Sequence, residues 1–162
     1  MKNTQMKTRI AFMSFVLLAL FLALAPAASA SNTWYVDGVN GSDSNGCMSS
    51  ATACKTIGHA ISLTSSGDTI KVAPAIYTEN LTIDRHLKIF GSAAETTIVD
   101  GNQAGTVFTI SNSSRAVVVL SKLTIRNGSP GIWNSGTLTI NNSTISGNSA
   151  AYYAGGSTTS AR

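Results

Sequence analysis

The chain has 162 residues, of which 11 are Lys or Arg, 7 are Asp or Glu, and only 11% are charged in total. Its formal charge of +4 belongs mostly to residues 1–30, which hold three basic residues and no acidic one, so that 8 basic and 7 acidic residues remain. Nucleic-acid-binding proteins usually carry a basic stripe, or aromatic residues interleaved with Lys and Arg. This chain has neither, so nucleic acid is not an expected partner.

Residues 1–30 have the pattern of a secretory signal peptide. Lys2, Lys7 and Arg9 precede an apolar run over 11–25, and Ala28-Ser29-Ala30 matches the small-residue cleavage pattern. The run is short for a membrane helix, which needs about 20 residues. We therefore expect a secreted or cell-surface protein that begins at Ser31 and has no membrane span after cleavage.

Residues 31–66 are predicted to form an N-terminal strand, a disulfide loop and a capping helix. Trp34-Tyr35-Val36 favours a strand. Cys47 and Cys54 have six residues between them in a stretch rich in Gly, Ser and Asn, so we expect a disulfide after export. A zinc pair is the competing interpretation, but the chain has only His59 and His86 to complete it.

The loop over 37–46 has oxygen ligands that suggest calcium. Asp37, Asn40, Asp43 and Asn45 are the candidates, with Asp37 and Asp43 supplying the carboxylates. Their spacing is not that of an EF-hand, and these residue types are ordinary in tight turns. Turn structure is therefore the favoured interpretation, and calcium is the alternative.

A short amphipathic helix is predicted to follow this loop. Ile57, Ala60 and Ile61 recur at helical spacing, Thr56 is a plausible N-cap, and 65–67 has the sequence Ser-Ser-Gly of a helix end. We expect the apolar face to cover the open end of the following core, with His59 at the surface or rim.

Short apolar-polar alternations recur at intervals near 20 residues between positions 67 and 150. Ile125 lies 20 residues before Ile145, and Val117 lies 20 residues before Thr137. This self-similarity predicts a solenoid of about four rungs with three short strands in each. The predicted strands cover 69–72, 75–78 and 81–83; 87–90, 96–99 and 107–110; 117–120, 123–126 and 131–133; and 137–140 and 143–146.

Alternate residues of each strand are expected to point inward and to stack on the next rung. Examples of these inward residues are Ile70 and Val72, Leu87 and Ile89, and Leu138 and Ile140. Alignment of the Thr-Ile pairs places Ile98 beside Ile125, and Asp100 beside Asn127 at one corner. We interpret these polar corner residues, together with Asn148, as turn structure. Residues 151–162 are predicted to form a polar tail.

Two segments resemble the secreted right-handed parallel β-helix proteins of the pectin-lyase-like superfamily. Residues 34–36, 67–72 and 76–79 are similar to the N-terminal cap and first rung of such bacterial proteins. Residues 136–150, GTLTINNSTISGNSA, resemble the repeats of large bacterial surface β-helix proteins. The resemblance implies an all-β, right-handed parallel β-helix, here in a truncated form whose open last rung would allow edge-to-edge self-association.

The resemblance also implies polysaccharide lyase or hydrolase activity in some members, which place carboxylates on several rungs and in some cases bind calcium. This chain has no Asp or Glu after position 100, whereas glycoside hydrolysis normally needs a carboxylate pair. The candidates for a lyase site are Asp84, Arg85, His86 and Lys88, since Arg or His can act as a base. A charged corner that solvates an apolar column is the favoured interpretation.

The preferred hypothesis is a secreted or surface β-helix that is structural or binds carbohydrate without cleaving it. Trp34 and Trp133 are the candidate stacking residues, although Trp133 follows Ile132 and core packing is an alternative. An extracellular polysaccharide is the expected partner, and no cofactor is expected. The alternative is a lyase of the pectate-lyase type, complete or vestigial, for which calcium would be the cofactor.

Overall fold

Short strands separated by polar corners wind the chain into a parallel β-helix. The computed structural model describes residues 30–111 and 115–150, together with the backbone of two strands at 152–154 and 158–160. The predicted signal sequence, apart from Ala30, lies outside these residues. Within the described part of the chain, we find no helix with the length and apolarity needed to cross a bilayer.

The elements follow one another in a regular order along the chain. The N-terminal region contains β1 (Thr33–Val36), a 3₁₀ turn (Ser50–Thr52) and α1 (Ile57–Leu63). The first rung contains β2 (Asp68–Val72), β3 (Ala75–Thr78) and β4 (Leu81–Ile83); the second contains β5 (Leu87–Gly91), β6 (Thr97–Asp100) and β7 (Phe108–Ile110). The third contains β8 (Val117–Ser121), β9 (Thr124–Arg126) and β10 (Ile132–Asn134); then come β11 (Thr137–Asn141), β12 (Thr144–Ser146), β13 (Tyr152–Ala154) and β14 (Thr158–Ser160).

Three parallel sheets form the walls of the coil. Sheet A has the order β1-β2-β5-β8-β11-β14, sheet B the order β3-β6-β9-β12, and sheet C the order β4-β7-β10-β13. Each sheet thus takes one strand from each successive rung. The predicted all-β fold, with short strands, about four rungs and a capping helix, is confirmed. The ladders also continue into the predicted tail, because β13 pairs with β10 and β14 with β11.

The core is a column of aliphatic side chains inside the coil. On sheet A, Ile70 is paired with Ile89, and Ile89 with Leu120, and all three side chains are fully buried. Successive rungs are about 4.8 Å apart, so these side chains stack in contact. Ile140 continues the same row on β11 but is only partly buried.

The predicted register is wrong by one residue on sheet B. Val99, not Ile98, pairs with Ile125, so Asp100 lies beside Arg126. The side chains of a strand alternate between faces, and Thr97 and Val99 are the buried pair on β6. The inward-facing Val99 therefore aligns with the inward-facing Ile125. The similarity of the two Thr-Ile pairs, which predicted that Ile98 would align with Ile125, does not set the register.

The N-terminal cap is formed by α1 and the loop before it. The Thr56 side chain accepts from His59 N, as expected of an N-cap, and Ile57, Ala60 and Ile61 are buried. The helix contacts β1, β2 and β4 and so covers one end of the column. Gly41 permits close packing within the loop, since a Cβ there would lie 2.2 Å from the Cys54 carbonyl oxygen.

A disulfide joins Cys47 and Cys54, as the sequence predicted, across a Cα–Cα distance of 5.0 Å. Both residues are fully buried. Cys54 also forms a parallel bridge to Val36 on β1. The disulfide therefore fastens the loop to the first strand of sheet A.

Candidate functional site

The outer face of sheet A carries a groove of about 430 Å³. Tyr35 is in register with Lys71 on the next strand, and Lys71 with Phe90 on the one after. These three residues occupy successive outward positions of β1, β2 and β5. Their side chains line the groove together with Lys122, Asp37 and Ser92.

The alternation of each strand explains which residues reach this groove. On β1, Val36 pairs with Val72 in the core, so Tyr35 points to the opposite face. On β5, Ile89 is buried and Phe90 follows it on the outside. The outward row on sheet A thus results from the same period of two that builds the core.

The floor of the groove depends on a glycine. Gly91 ends β5, and a Cβ at this position would lie 2.1 Å from the Lys122 carbonyl oxygen and 2.8 Å from a Leu123 methyl group. Lys122 itself has a φ of 58°, in the left-handed region. The turn after β8 therefore packs directly on β5 and places Lys122 at the groove.

The groove combines aromatic rings with positive charge. The Lys71 Nζ lies 5.7 Å from the centroid of the Tyr35 ring, within the range of a cation–π contact. Lys122 is a second basic residue in the lining. An aromatic surface beside cations suits the apolar face of a sugar ring that carries carboxylate or hydroxyl groups.

The one carboxylate that lines the groove is already engaged in its own turn. Asp37 Oδ1 accepts from Val39 N at 2.9 Å and Asn40 N at 3.0 Å, and Oδ2 accepts from Asn40 Nδ2 at 3.2 Å. The bond from the Asn40 backbone, followed by that from Val39, holds the pKa of Asp37 below its usual range. Asp37 is therefore an ionised acceptor that shapes the loop.

Asp43, the other carboxylate of the calcium set, accepts from the segment just before α1. Its Oδ1 accepts from Lys55 N at 2.9 Å and Thr56 N at 3.0 Å, and its Oδ2 accepts from Thr56 Oγ1 at 2.9 Å. Burial opposes ionisation of Asp43, but the bonds from Thr56 and Lys55 outweigh it and lower the pKa.

Asn45, an amide of the same calcium set, holds the loop through its nitrogen, since its Nδ2 donates to Ala53 O at 2.9 Å. Calcium takes six to eight oxygen ligands. The carboxylates of Asp37 and Asp43 face N–H and O–H donors, which favours turn structure over calcium. The calcium assignment remains a prediction.

The two candidate tryptophans lie outside the groove. Trp34 is on the core-facing side of β1, where its Nε1 donates to Asp68 Oδ2 at 2.8 Å and its ring packs against the core. Trp133 is 48% exposed on sheet C, in register with Thr109. The two tryptophans therefore lie on different sheets. Core packing was the alternative considered for Trp133, but Trp133 is exposed, and it is Trp34 that packs against the core.

The charged corner serves to connect neighbouring elements. Arg85 Nε donates to Asp84 at 2.8 Å, and its Nη1 donates to the Thr64 carbonyl at the end of α1 at 2.5 Å. His86 Nδ1 accepts from Val117 N of the third rung at 3.0 Å. These contacts hold the cap and the second and third rungs together.

Lys88 lies apart from that corner in the ladder. It is an exposed residue, the second of β5, and is paired with Thr69 and Val119 on the outer face of sheet A. The catalytic assignment of Asp84, Arg85, His86 and Lys88 remains a prediction.

Sequence reasoning missed Tyr35, Phe90 and Lys122 as groove residues. Tyr35 and Phe90 each follow an inward-facing residue, so outward positions aligned rung by rung would have placed the two rings in one row. Lys122 had no comparable signal, because it lies in the turn between β8 and β9 and reaches the groove only through the Gly91 contact.

Comparisons with known proteins identify the fold and leave the family open. No family model matches the chain, and no curated protein matches it. Among solved structures, the chain is similar to a mutant pectin methylesterase crystallised in complex with a hexasaccharide, with 20% identity and a TM-score of 0.56. The match covers 78% of this chain and 46% of that one, so the chain spans less than half the length of that enzyme.

A likeness at this level of identity defines the fold alone. The chain is a parallel β-helix protein, which confirms the fold implied by the sequence resemblance. The function of a fold of this kind depends on the residues of its binding surface, which here is the groove on sheet A.

Proposed function

We propose that this protein is a secreted parallel β-helix that binds an extracellular polysaccharide in the sheet A groove without cleaving it. The row of Tyr35, Lys71 and Phe90 carries the proposal, because its members are aligned across three successive strands. The span from β1 to β5 is on the order of 10 Å, the length of a short oligosaccharide. The two rings would stack on sugar rings, and the lysine between them would bind a carboxylate or hydroxyl group.

The chemistry of the groove favours binding over hydrolysis. Acid–base cleavage of a glycosidic bond normally requires two carboxyl groups on opposite sides of the bond. Among the residues that line the groove, Asp37 is the one carboxylate, and three donors from its own turn occupy it. A sugar held there would meet aromatic rings and ammonium groups.

Two further observations support secretion and a polysaccharide ligand. The signal pattern over 1–30 and a buried disulfide are both typical of exported proteins. The similar solved structure is named for pectin and contains a hexasaccharide. An extracellular polysaccharide is therefore the ligand class to test first.

The test is a binding titration of the purified protein with polygalacturonate, and with a neutral glucan beside it. We expect Phe90→Ala to weaken binding at least about tenfold, which corresponds to about 1.4 kcal/mol. Lys71→Ala should weaken binding to polygalacturonate more than to the neutral glucan, and added salt should reduce that difference.

Two matched variants control for general effects on the surface. Lys88→Ala removes a lysine from the same face of sheet A outside the groove, and Trp133→Ala removes an exposed ring from sheet C. Neither should change affinity. Loss of binding only in Trp133→Ala would place the site on sheet C, and ultraviolet absorbance from unsaturated product would make the protein a lyase.

A further inference from the structure

The disulfide has a histidine beside it that the sequence spacing did not predict. The Cys47 and Cys54 sulfurs and a ring nitrogen of His59 all lie within 4.8 Å of one another. The cysteines are buried and the histidine is partly exposed. The loop brings the sulfurs to the first turn of α1, where the Thr56 N-cap fixes the position of His59.

These three side chains are a ligand set that zinc prefers. Zinc binds thiolate sulfur at about 2.3 Å and imidazole nitrogen at about 2.0–2.1 Å, usually with tetrahedral geometry. Ligand atoms on such an ion are about 3.5–3.8 Å apart, as those bond lengths require. Separations within 4.8 Å therefore need only small side-chain rotations once the disulfide is open.

We infer that reduction of the Cys47–Cys54 disulfide converts this cluster into a zinc site with His59 as the third ligand. A phosphine reductant donates two electrons to the S–S bond and becomes the phosphine oxide with oxygen from water. The two protons of that water pass to the sulfurs. Zinc then binds both sulfurs as thiolates and releases these protons. A water molecule would complete the tetrahedron as the fourth ligand.

The disulfide form excludes the metal from the same position. A sulfur bonded to another sulfur has no thiolate charge to offer, and the thiolate is the form that ligates. The cluster therefore has two exclusive states, a covalent staple and a metal site, and the redox state of the surroundings selects between them. His86, the other histidine, bonds to Val117 N at the charged corner.

The experiment uses the purified protein, reduced without oxygen by a phosphine, and Co²⁺ as a spectroscopic probe for the zinc position. We expect one equivalent of Co²⁺ to produce a thiolate-to-metal charge-transfer band and strong visible bands, both removed by Zn²⁺. The oxidised protein should show neither band. His59→Ala should bind Co²⁺ at least about tenfold more weakly and with altered visible bands, and His86→Ala should match the unchanged protein.

Three results would overturn the inference. The first is absence of the charge-transfer band from reduced protein in which thiol titration finds both cysteines free. The second is identical Co²⁺ affinity and spectra for His59→Ala and the unchanged protein. The third is loss of the β-sheet circular dichroism on reduction that Zn²⁺ does not restore, because the site requires the folded cap.

Discussion

The two ends of the coil are held by different side-chain chemistry. At the cap, Glu79 accepts from Ile57 N at 2.9 Å and Gly58 N at 2.8 Å. At the far rungs, Asn148 accepts from Gly128 N at 2.7 Å and donates to the Ile125 carbonyl at 3.1 Å. Either a carboxylate or an amide can thus satisfy the backbone at a corner, but only the carboxylate changes charge with pH.

Packing also differs between neighbouring rungs of the far region. Ile125 of the third rung is fully buried, whereas its register partner Ile145 on β12 is only partly buried. The inward side chains of a rung are fully buried only where another rung covers them on each side. The amount of stability that each rung contributes should therefore fall toward the far end of the described coil.

The largest expected effect comes from truncating that matched isoleucine pair. Ile125→Ala should lower the free energy of unfolding by about 3–4 kcal/mol, because a cavity remains in a tightly packed column. Ile145→Ala should cost about 1–2 kcal/mol, since its side chain is already partly hydrated. Urea titrations followed by circular dichroism measure both values. Equal losses would mean that the two rungs are equally well packed.

Removal of the disulfide tests the covalent part of the cap. The Cys47→Ala, Cys54→Ala double variant should lose about 2.5 kcal/mol, the loop-closure value for a sequence separation of 7. Met48→Ala, an exposed change in the same loop, should be nearly neutral. Hydrogen exchange should show lost protection around α1 and little change at 117–146. Uniform loss of protection would show that the coil unfolds as one unit with its cap.

Asp100 tests whether charge matters at a middle corner. Burial opposes its ionisation, but bonds from Asn102 N, Arg126 Nε and Asn127 Nδ2 outweigh it and lower the pKa. A lowered pKa contributes stability above the unfolded value of 3.8, and this contribution is lost as pH falls through the folded pKa. Asp100→Asn should thus cost about 1.5 kcal/mol near neutral pH, and less in acid.

The control for Asp100 is an amide at the far end. Asn148→Ala removes bonds to the Gly128 and Ile125 backbone, and its cost should not vary with pH, because an amide does not titrate. Urea midpoints of both variants and the unchanged protein across a pH series provide the measurement. A cost of Asp100→Asn that stays constant into acid would contradict the assigned role of its charge.

Glu79 should give the smallest effect and the opposite dependence on pH. Burial raises the pKa of Glu79 despite its bonds from Gly58 and Ile57. A raised pKa means that its contribution is fully present below 4.5 and declines as pH rises through the folded value. Glu79→Ala should cost below about 1 kcal/mol at neutral pH and more in acid.

Glu95→Ala, at an exposed position, is the matched control for Glu79 and should be neutral throughout the pH series. Thermal unfolding of the two variants at several pH values separates them. A cost of Glu79→Ala that grows as pH rises would show that the ionised carboxylate is the better partner for α1.

Much of the fold was predictable because it depends on local sequence patterns, namely the alternation within strands and the N-cap of the helix. The period of two placed Ile70, Leu87 and Ile89 in the core, and Thr56 marked the start of α1. The sheet B register was not predictable from the Thr-Ile likeness, because two similar motifs can begin on opposite faces of a strand. The register is set by the side chain of Val99, which is buried in the core when it aligns with Ile125.

The candidate site was less predictable than the fold. The two tryptophans were the candidate residues for stacking on sugars. In the structure, Trp34 donates a hydrogen bond to Asp68, and Trp133 lies on a different sheet from the groove. Tyr35 and Phe90 are 55 positions apart in sequence and share a groove only because two ladders set them in one row. Only an alignment of the outward positions rung by rung would have placed the two rings together.

The sequence by itself determined the repeat, the strands, the capping helix and the disulfide, since each of these depends on residue types at short spacing. The tertiary structure alone decided the sheet B register, the place of Lys122 in the groove, and the position of His59 beside the disulfide. These three features depend on which residues of different rungs face one another. In a coil, that is set by the packing of the whole column.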